Sequence, residues 1–251
     1  ILSDIMGVTR DFFIANSHIN VSINTIKKFN HAIKRRINRE PVAYIIGKKE
    51  FWSQDFYVSH ATLVPRPETE LLIYKVVDFF KNKRINVLDI GTGSGCLLLS
   101  ILKELNLSRG VGIDNSAKAI KIAQINSKNL NLFCRSKFKV FDISKFNVGK
   151  YDLIVSNPPY IPSKDIKNLS KDIINYEPLV ALNGGLDGLD LIRKVIYKSN
   201  SLLKRNGLLA IEIGFNQYLK VSSLLKQYGF REMSRQCDYN HNVRCIISTK
   251  V

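Results

Sequence analysis

Apolar residues stand at Ile23, Ile26, Phe29, Ile33 and Ile37, three and four positions apart, and mark one face of a helix over residues 22–39. Ser22 or Asn24 is placed to cap it and Pro41 to end it. The opposite face carries Lys27, Lys28, Lys34, Arg35 and Arg36, which reads first as a solvated face and only second as a binding surface. Residues 1–16 also read as helical. Two helices bury little by themselves, so residues 1–41 are expected to form a small helical domain. Over residues 42–63 the pattern changes. Phe51, Phe56, Tyr57 and Val58, with Gly47 and Ser53, predict a β-hairpin within a linker that runs to residue 66.

Residues 67–251 alternate between the two periodicities. Helices are predicted over 68–80, 97–105, 116–128, 189–203 and 217–227. Strands are predicted at 86–90, 110–113, 138–141, 151–156 and 207–214, the first and last of these as buried parallel strands. Two final strands, 230–233 and 243–249, have no helix between them and are expected to pair antiparallel. The fold class is α/β, a doubly wound sheet with an antiparallel last strand.

Composition narrows the picture only slightly. A hydrophobic fraction of 45% suffices for a core, and no apolar run reaches membrane-spanning length. The net charge of +17 is spread along the chain, so it reads as compositional bias that permits weak RNA contact without identifying one. Cys96, Cys134, Cys237 and Cys245 lack metal or redox spacing, and His18, His31, His60 and His241 are scattered. We expect reduced thiols, no metal and a cytoplasmic protein. The chain opens on Ile1 and not on Met, so a trimmed N-terminus is expected.

The chemistry concentrates in two loops. Asp89-Ile90-Gly91-Thr92-Gly93-Ser94-Gly95 follows the first parallel strand and opens a helix. Glycines there permit a tight turn and close approach of a ligand. Asp114 ends the next strand, where a carboxylate accepts bonds from ribose hydroxyls. A dinucleotide fingerprint would need glycine where Cys96 stands, which disfavours a nicotinamide oxidoreductase. Asp89 suits a ligand carrying an ammonium group, as S-adenosylmethionine does. The run resembles the first motif of class I methyltransferases. Asp142 is the expected partner of the adenine amino group, with Ile143 beside the ring.

The second loop, Asn157-Pro158-Pro159-Tyr160, leaves the fourth strand opposite the glycines. The Asn157 side-chain oxygen and the Pro158 carbonyl can each accept one N–H of a planar acceptor nitrogen, and both bonds strengthen as that nitrogen becomes tetrahedral. Tyr160 offers an apolar face and a π surface. The loop resembles that of amino-methyltransferases acting on adenine N6, cytosine N4 or a glutamine amide, and by itself does not choose among them. A nucleic-acid amino-methyltransferase is therefore the leading alternative, and a non-catalytic nucleoside-binding module a more distant one.

Further segments choose. Glu40–Ile45, Glu50-Phe51-Trp52, Leu63-Val64-Pro65-Arg66-Pro67-Glu68-Thr69-Glu70, Tyr176–Leu182 and Gly184–Leu189, together with Asn157–Tyr160, closely resemble the release-factor glutamine methyltransferase family. The resemblance implies an N-terminal helical docking domain, a β-hairpin linker and a class I methyltransferase domain. It implies S-adenosylmethionine as methyl donor and the glutamine of the Gly-Gly-Gln loop of peptide-chain release factors as acceptor, hence a role in translation termination. It places Leu63, Pro65 and Arg66 near donor and acceptor. Family members carry about another helix before the position of Ile1, and some are fused to a tRNA methyltransferase domain. Glu177 and Glu212 are candidates for buttressing the site or for purely structural roles.

Overall fold

In the computed structural model, which describes residues 1–251, the N-terminal helical pattern is broken into pieces. Helix α1 (Leu2–Met6) stops at Gly7, which takes a left-handed φ of 67° and closes the last turn onto Asp4. Helix α2 (Arg10–Ala15) follows, then α3 (Ile23–Ile37), whose first turn is capped by Ser22 Oγ accepting from Thr25 N at 3.2 Å. Only Ala32 of α3 is fully buried. Ile23 and Ile37 stay 74% and 71% exposed, so the apolar stripe is only partly covered. The basic face is not simply solvated either. Arg35 forks onto Glu40 at 2.6 and 2.8 Å, and Arg36 reaches Asp172 at 2.8 Å, far along the chain.

Residues 42–46, expected in the hairpin linker, are helical instead: α4 (Val42–Ile46) starts after Pro41, whose fixed φ suits a helix entrance, and ends at left-handed Gly47. The hairpin itself is shorter, β1 (Lys48–Phe51) and β2 (Gln54–Tyr57), antiparallel with Phe51 opposite Gln54. Its two-residue turn, Trp52-Ser53, has φ of 51° and 53°, the sign that a type I′ turn demands. Glu70 accepts from Trp52 N at 2.8 Å and Glu104 from Trp52 Nε1 at 2.7 Å, which fixes the turn.

After a 3-10 turn at Pro67–Thr69 the chain runs through α5 (Glu70–Phe80), β3 (Asn86–Ile90), α6 (Cys96–Glu104), β4 (Arg109–Asp114), α7 (Ala117–Asn129), β5 (Ser136–Val140) and β6 (Tyr151–Ser156). A loop-rich segment with the short α8 (Lys171–Ile174) precedes α9 (Asp190–Leu202), β7 (Leu203–Glu212), α10 (Tyr218–Gln227), β8 (Phe230–Cys237) and β9 (Val243–Lys250). The seven strands β3 to β9 lie in the order β5-β4-β3-β6-β7-β9-β8. The first five are parallel, and β9 inserts antiparallel between β7 and β8.

The pleat divides the core in two. Val87, Leu153, Val155 and Ala210 point to one face, under α5 and α6, together with Phe51 and Phe56 of the hairpin. Leu88, Ile154, Leu209 and Ile211 point to the other, under α9 and α10. Burial on both faces explains why these strands read as continuous apolar runs. Buried Asn126 of α7 ties the layers at one corner: it exchanges bonds of 2.7 and 3.0 Å with the Tyr57 backbone and donates to Ser94 O at 2.8 Å. No helix is long and apolar enough to cross a membrane.

Candidate active site

The strand order reverses between β4 and β6, on either side of β3, so the carboxyl ends of these strands open a crevice. The chain leaves β3 through Gly91, Gly93 and Gly95, all with positive φ (72°, 54° and 79°). Gly91 N and Thr92 N donate to Ile113 O at 2.9 and 3.0 Å, which folds the turn back over β4. A Cβ on Gly91 or Gly93 would meet no atom within 4 Å, whereas one on Gly95 would press on Ala123, Leu99 and Phe138 at 3.1 to 3.2 Å. Gly91 to Ser94 line a cleft of about 220 Å³. Gly95, expected there too, is set behind it as the point where α6 packs closely against α7 and β5.

Three expected carboxylates line that cleft: Asp89, Asp114 and Asp142, with Ile143 beside the last. Asp89 is buried, and Thr92 Oγ1 donates to it at 2.6 Å. Desolvation pushes its pKa up to about 7, opposed by the Thr92 bond. Asp114 accepts from Gly93 N and Ser116 N, both at 2.9 Å, so it holds the glycine turn as well as facing the cleft. Burial raises its pKa and these backbone bonds oppose the rise. Asp142 is exposed and caps the turn Ile143–Lys145, accepting from Ser144 N and Oγ at 2.8 Å, which lowers its pKa. Phe141 also lines this end, packed edge-on against Phe146 at 5.2 Å. The sequence reading passed over it because it belongs to no motif.

Asn157 and Pro159 line the same cleft from β6. They also line an adjoining cleft of about 150 Å³ with Pro158, Tyr160, Leu63 and Arg66. Pro65 faces the larger cleft. Asn157 thus stands where two spaces meet. Its Nδ2 donates to Thr69 Oγ1 at 3.0 Å, and Thr69 Oγ1 donates to Glu212 Oε2 at 2.6 Å. Tyr160 OH donates to Glu212 Oε1 at 3.2 Å and accepts from Arg244 at 3.0 Å. Thr69 and Arg244 escaped the sequence reading because they come from distant segments that only the fold brings together.

The Tyr160 end of the loop is clamped from outside. Gln217 Nε2 donates to Tyr160 O at 2.9 Å and to Gly188 O at 3.2 Å. Ile161 forms a short parallel bridge with Asn183, in which Ile161 N donates to Leu182 O at 3.1 Å and Gly184 N to Ile161 O at 2.8 Å. Gly188 lies so close to Tyr160 that a Cβ would come within 2.4 Å of its carbonyl. Across the site, Arg66 pairs with buried Glu177 at 2.6 Å, and Val64 N donates to the same carboxylate at 3.4 Å. Glu177 therefore fastens the Leu63–Arg66 strap to the loop after α8. No group of three or more His, Cys, Asp or Glu is placed to hold a metal ion.

A reversed seven-stranded sheet with a glycine turn at its switch point and an Asn-Pro-Pro-Tyr loop beside it defines a methyltransferase. Residues 81–250 match the family model described as a methyltransferase domain, and residues 1–47 the one described as the PrmC N-terminal domain. A solved methyltransferase from Pyrococcus furiosus shares the fold, with a TM-score of 0.60 over 88% of this chain and 99% of that one, at 17% identity. The release factor glutamine methyltransferase of Buchnera aphidicola from Schizaphis graminum is 42% identical over 250 residues, 100% of this chain and 90% of that protein. The one from Caulobacter vibrioides is 37% identical over 246 residues, 97% of this chain and 85% of that protein. The chain belongs to the release factor glutamine methyltransferase family.

Proposed function

We propose that this chain methylates the side-chain amide nitrogen of a glutamine in the Gly-Gly-Gln loop of a peptide-chain release factor, with S-adenosylmethionine as donor. The observation that carries the reading is the position of Asn157 at the junction of two clefts. Its Oδ1 and the Pro158 carbonyl accept none of the protein's own hydrogen bonds, so both are free for an incoming NH2.

The larger cleft fits the donor. Gly91 and Gly93 present bare backbone to it, Asp89 matches an ammonium, Asp114 a ribose, and Asp142 with Ile143 and Phe141 the base. Bound there, S-adenosylmethionine supplies a methyl group on a positive sulfur, which keeps the C–S electron pair as the methyl leaves. The smaller cleft, walled by Leu63, Pro159 and Tyr160 and bordered by Arg66, takes the glutamine side chain. Asn157 Oδ1 and the Pro158 carbonyl draw on its two N–H bonds and orient the nitrogen lone pair toward the methyl. These contacts strengthen as the nitrogen gains positive charge, so they favour the transition state over the ground state. The new N–C bond forms from the nitrogen lone pair, and one amide proton passes to solvent. No strong base is required, because the methylated amide is strongly acidic while its nitrogen still carries both protons.

Residues 1–41 serve, in this reading, as the docking unit for the release factor. Arg36–Asp172 and the bond of Tyr176 OH to Asn38 O at 2.7 Å hold that unit against the loop after β6. The basic surface adds at most weak, salt-sensitive attraction to RNA. The test is peptide mapping by mass spectrometry after incubation with donor and release factor. One added methyl on the Gly-Gly-Gln glutamine is expected. An unmodified loop, or methyl elsewhere, would overturn the reading.

A further inference from the structure

The bonds behind Asn157 have a fixed direction. Arg244 only donates, since a guanidinium has no acceptor. The Tyr160 hydroxyl that receives it, at 3.0 Å, therefore turns its one proton to Glu212 Oε1, 3.2 Å away. Arg244 also lies over the Tyr160 ring, 5.4 Å from its centroid. Glu212 is fully buried at the end of β7 and, as a carboxylate, accepts only. Its second oxygen takes the single proton of buried Thr69 at 2.6 Å. Thr69 Oγ1 is left with lone pairs alone, so only an NH2 can approach it from Asn157, at 3.0 Å. The amide nitrogen faces Thr69 and the amide oxygen faces the clefts. This direction requires Glu212 as a carboxylate: burial raises its pKa, and the Thr69 bond, the charge of Arg244 and the Tyr160 bond oppose that rise.

We propose that Thr69 and Glu212 are positioning residues that lock the rotamer of the Asn157 amide, so that it offers an oxygen and not an NH2, and thereby select acceptors that carry N–H bonds. This rests on the glutamine-amide reading above and adds the groups that enforce it. With the lock in place, a loop glutamate of the same size meets two acceptor oxygens, those of Asn157 and Pro158, and is refused. With the lock removed, Asn157 turns freely, spends part of its time with NH2 toward the cleft, and loses both alignment and discrimination.

The test uses the full chain, S-adenosylmethionine and a release factor, with donor affinity measured by calorimetry. Thr69→Val keeps the volume and removes the hydroxyl. We expect its donor affinity within about twofold of wild type and its kcat lower by about 10- to 100-fold, the cost of misaiming one dipole. Thr69→Ser restores the hydroxyl and is expected within about threefold of wild-type kcat. Binding of a Gln→Glu loop variant, weaker than that of the native loop in the wild type, should approach it in Thr69→Val. Glu212→Gln gives Thr69 a donor to face and frees its proton to turn toward Asn157. It should slow turnover similarly, and the double variant should be no slower than the slower single one.

Wild-type kcat in Thr69→Val would overturn the proposal. So would a Thr69→Ser as slow as Thr69→Val, since packing and not the hydroxyl would then matter. A donor affinity that falls in step with kcat would move Thr69 to the donor side and also overturn it, as would additive losses in the double variant. Absence of any transfer by the wild type would instead overturn the acceptor reading, and this one with it.

Discussion

At the scale of single residues, each carboxylate and amide of the site carries a separable load. Asn157 is assigned to the acceptor, so Asn157→Ala should leave donor affinity nearly unchanged while turnover falls by about 10²- to 10³-fold, roughly 3–4 kcal/mol in barrier height. Calorimetry and single-turnover kinetics on the same preparation check this, and a loss of only a few-fold would remove Asn157 from its role. Asp89 has a pKa pushed up to about 7 by burial. An ammonium needs it ionised, so donor binding should weaken as pH falls below that value, by about tenfold per unit once well below it. Without donor the same group acts on the fold in the opposite sense: its neutral form is preferred, and stability drains as pH rises from about 4 toward 7. Donor titrations from pH 5 to 8 would show the slope in wild type and a flat, weaker profile in Asp89→Asn. A flat wild-type profile would contradict the assignment. Asp89, Asp114 and Asn157 were legible in the sequence because each sits at a fixed offset from a strand end. Thr69 and Glu212 meet across 143 positions, and spacing carries no trace of that. Gly95 reads as a ligand glycine by motif, yet its neighbours make it a packing glycine.

At the scale of elements, periodicity found each of the seven main strands and the larger helices: the central strands β3, β6 and β7 are buried on both faces and read as apolar runs, while the edge strands β5 and β8 alternate between buried and exposed positions. It failed where local chemistry outweighed pattern. Residues 42–46 look like strand by composition, but Pro41 in front and Gly47 behind, left-handed at φ 77°, close a single helical turn instead. The segment from Ser163 to Ala181 is built of short turns without side-chain caps, held by backbone bonds and by the ion pairs Arg36–Asp172 and Arg66–Glu177, and is too brief for any period to show. The hairpin turn offers a direct check on backbone energetics. Ser53 is exposed and holds a left-handed φ of 53°, which costs a non-glycine residue about 1 kcal/mol. Ser53→Gly should therefore raise the unfolding free energy by that order, read as a higher denaturant midpoint at unchanged slope, and a lower midpoint would show that the turn is not left-handed in solution.

At the scale of the whole molecule, the larger cleft, proposed for the donor, is built mainly at the strand ends of the sheet, and the smaller one, proposed for the acceptor, by straps from either side. Leu63–Arg66 arrives from the hairpin, is pinned by Glu177, and shares a wall with the loop after β6. The N-terminal helices reach the same region through Arg36–Asp172 and Tyr176–Asn38, with His60 between Tyr44 and Tyr176 at ring distances of 4.6 and 5.9 Å. In the proposed docking of a release factor on those helices, the substrate would press on the straps that line the smaller cleft. A duplex base would first have to be flipped out of its stack, which costs a few kcal/mol and calls for protein that grips the strand. A glutamine on an exposed loop enters without that cost. The net charge of +17 does not decide between them, since it draws any polyanion.

The central claim, a glutamine amide as acceptor, is tested most directly by one competition assay with labelled methyl donor. It offers a release factor, the same factor with Gln→Ala in its Gly-Gly-Gln loop, and bulk DNA and RNA together. The account expects label on the unaltered release factor alone. Label on nucleic acid, or equal label on the Gln→Ala factor, would contradict it.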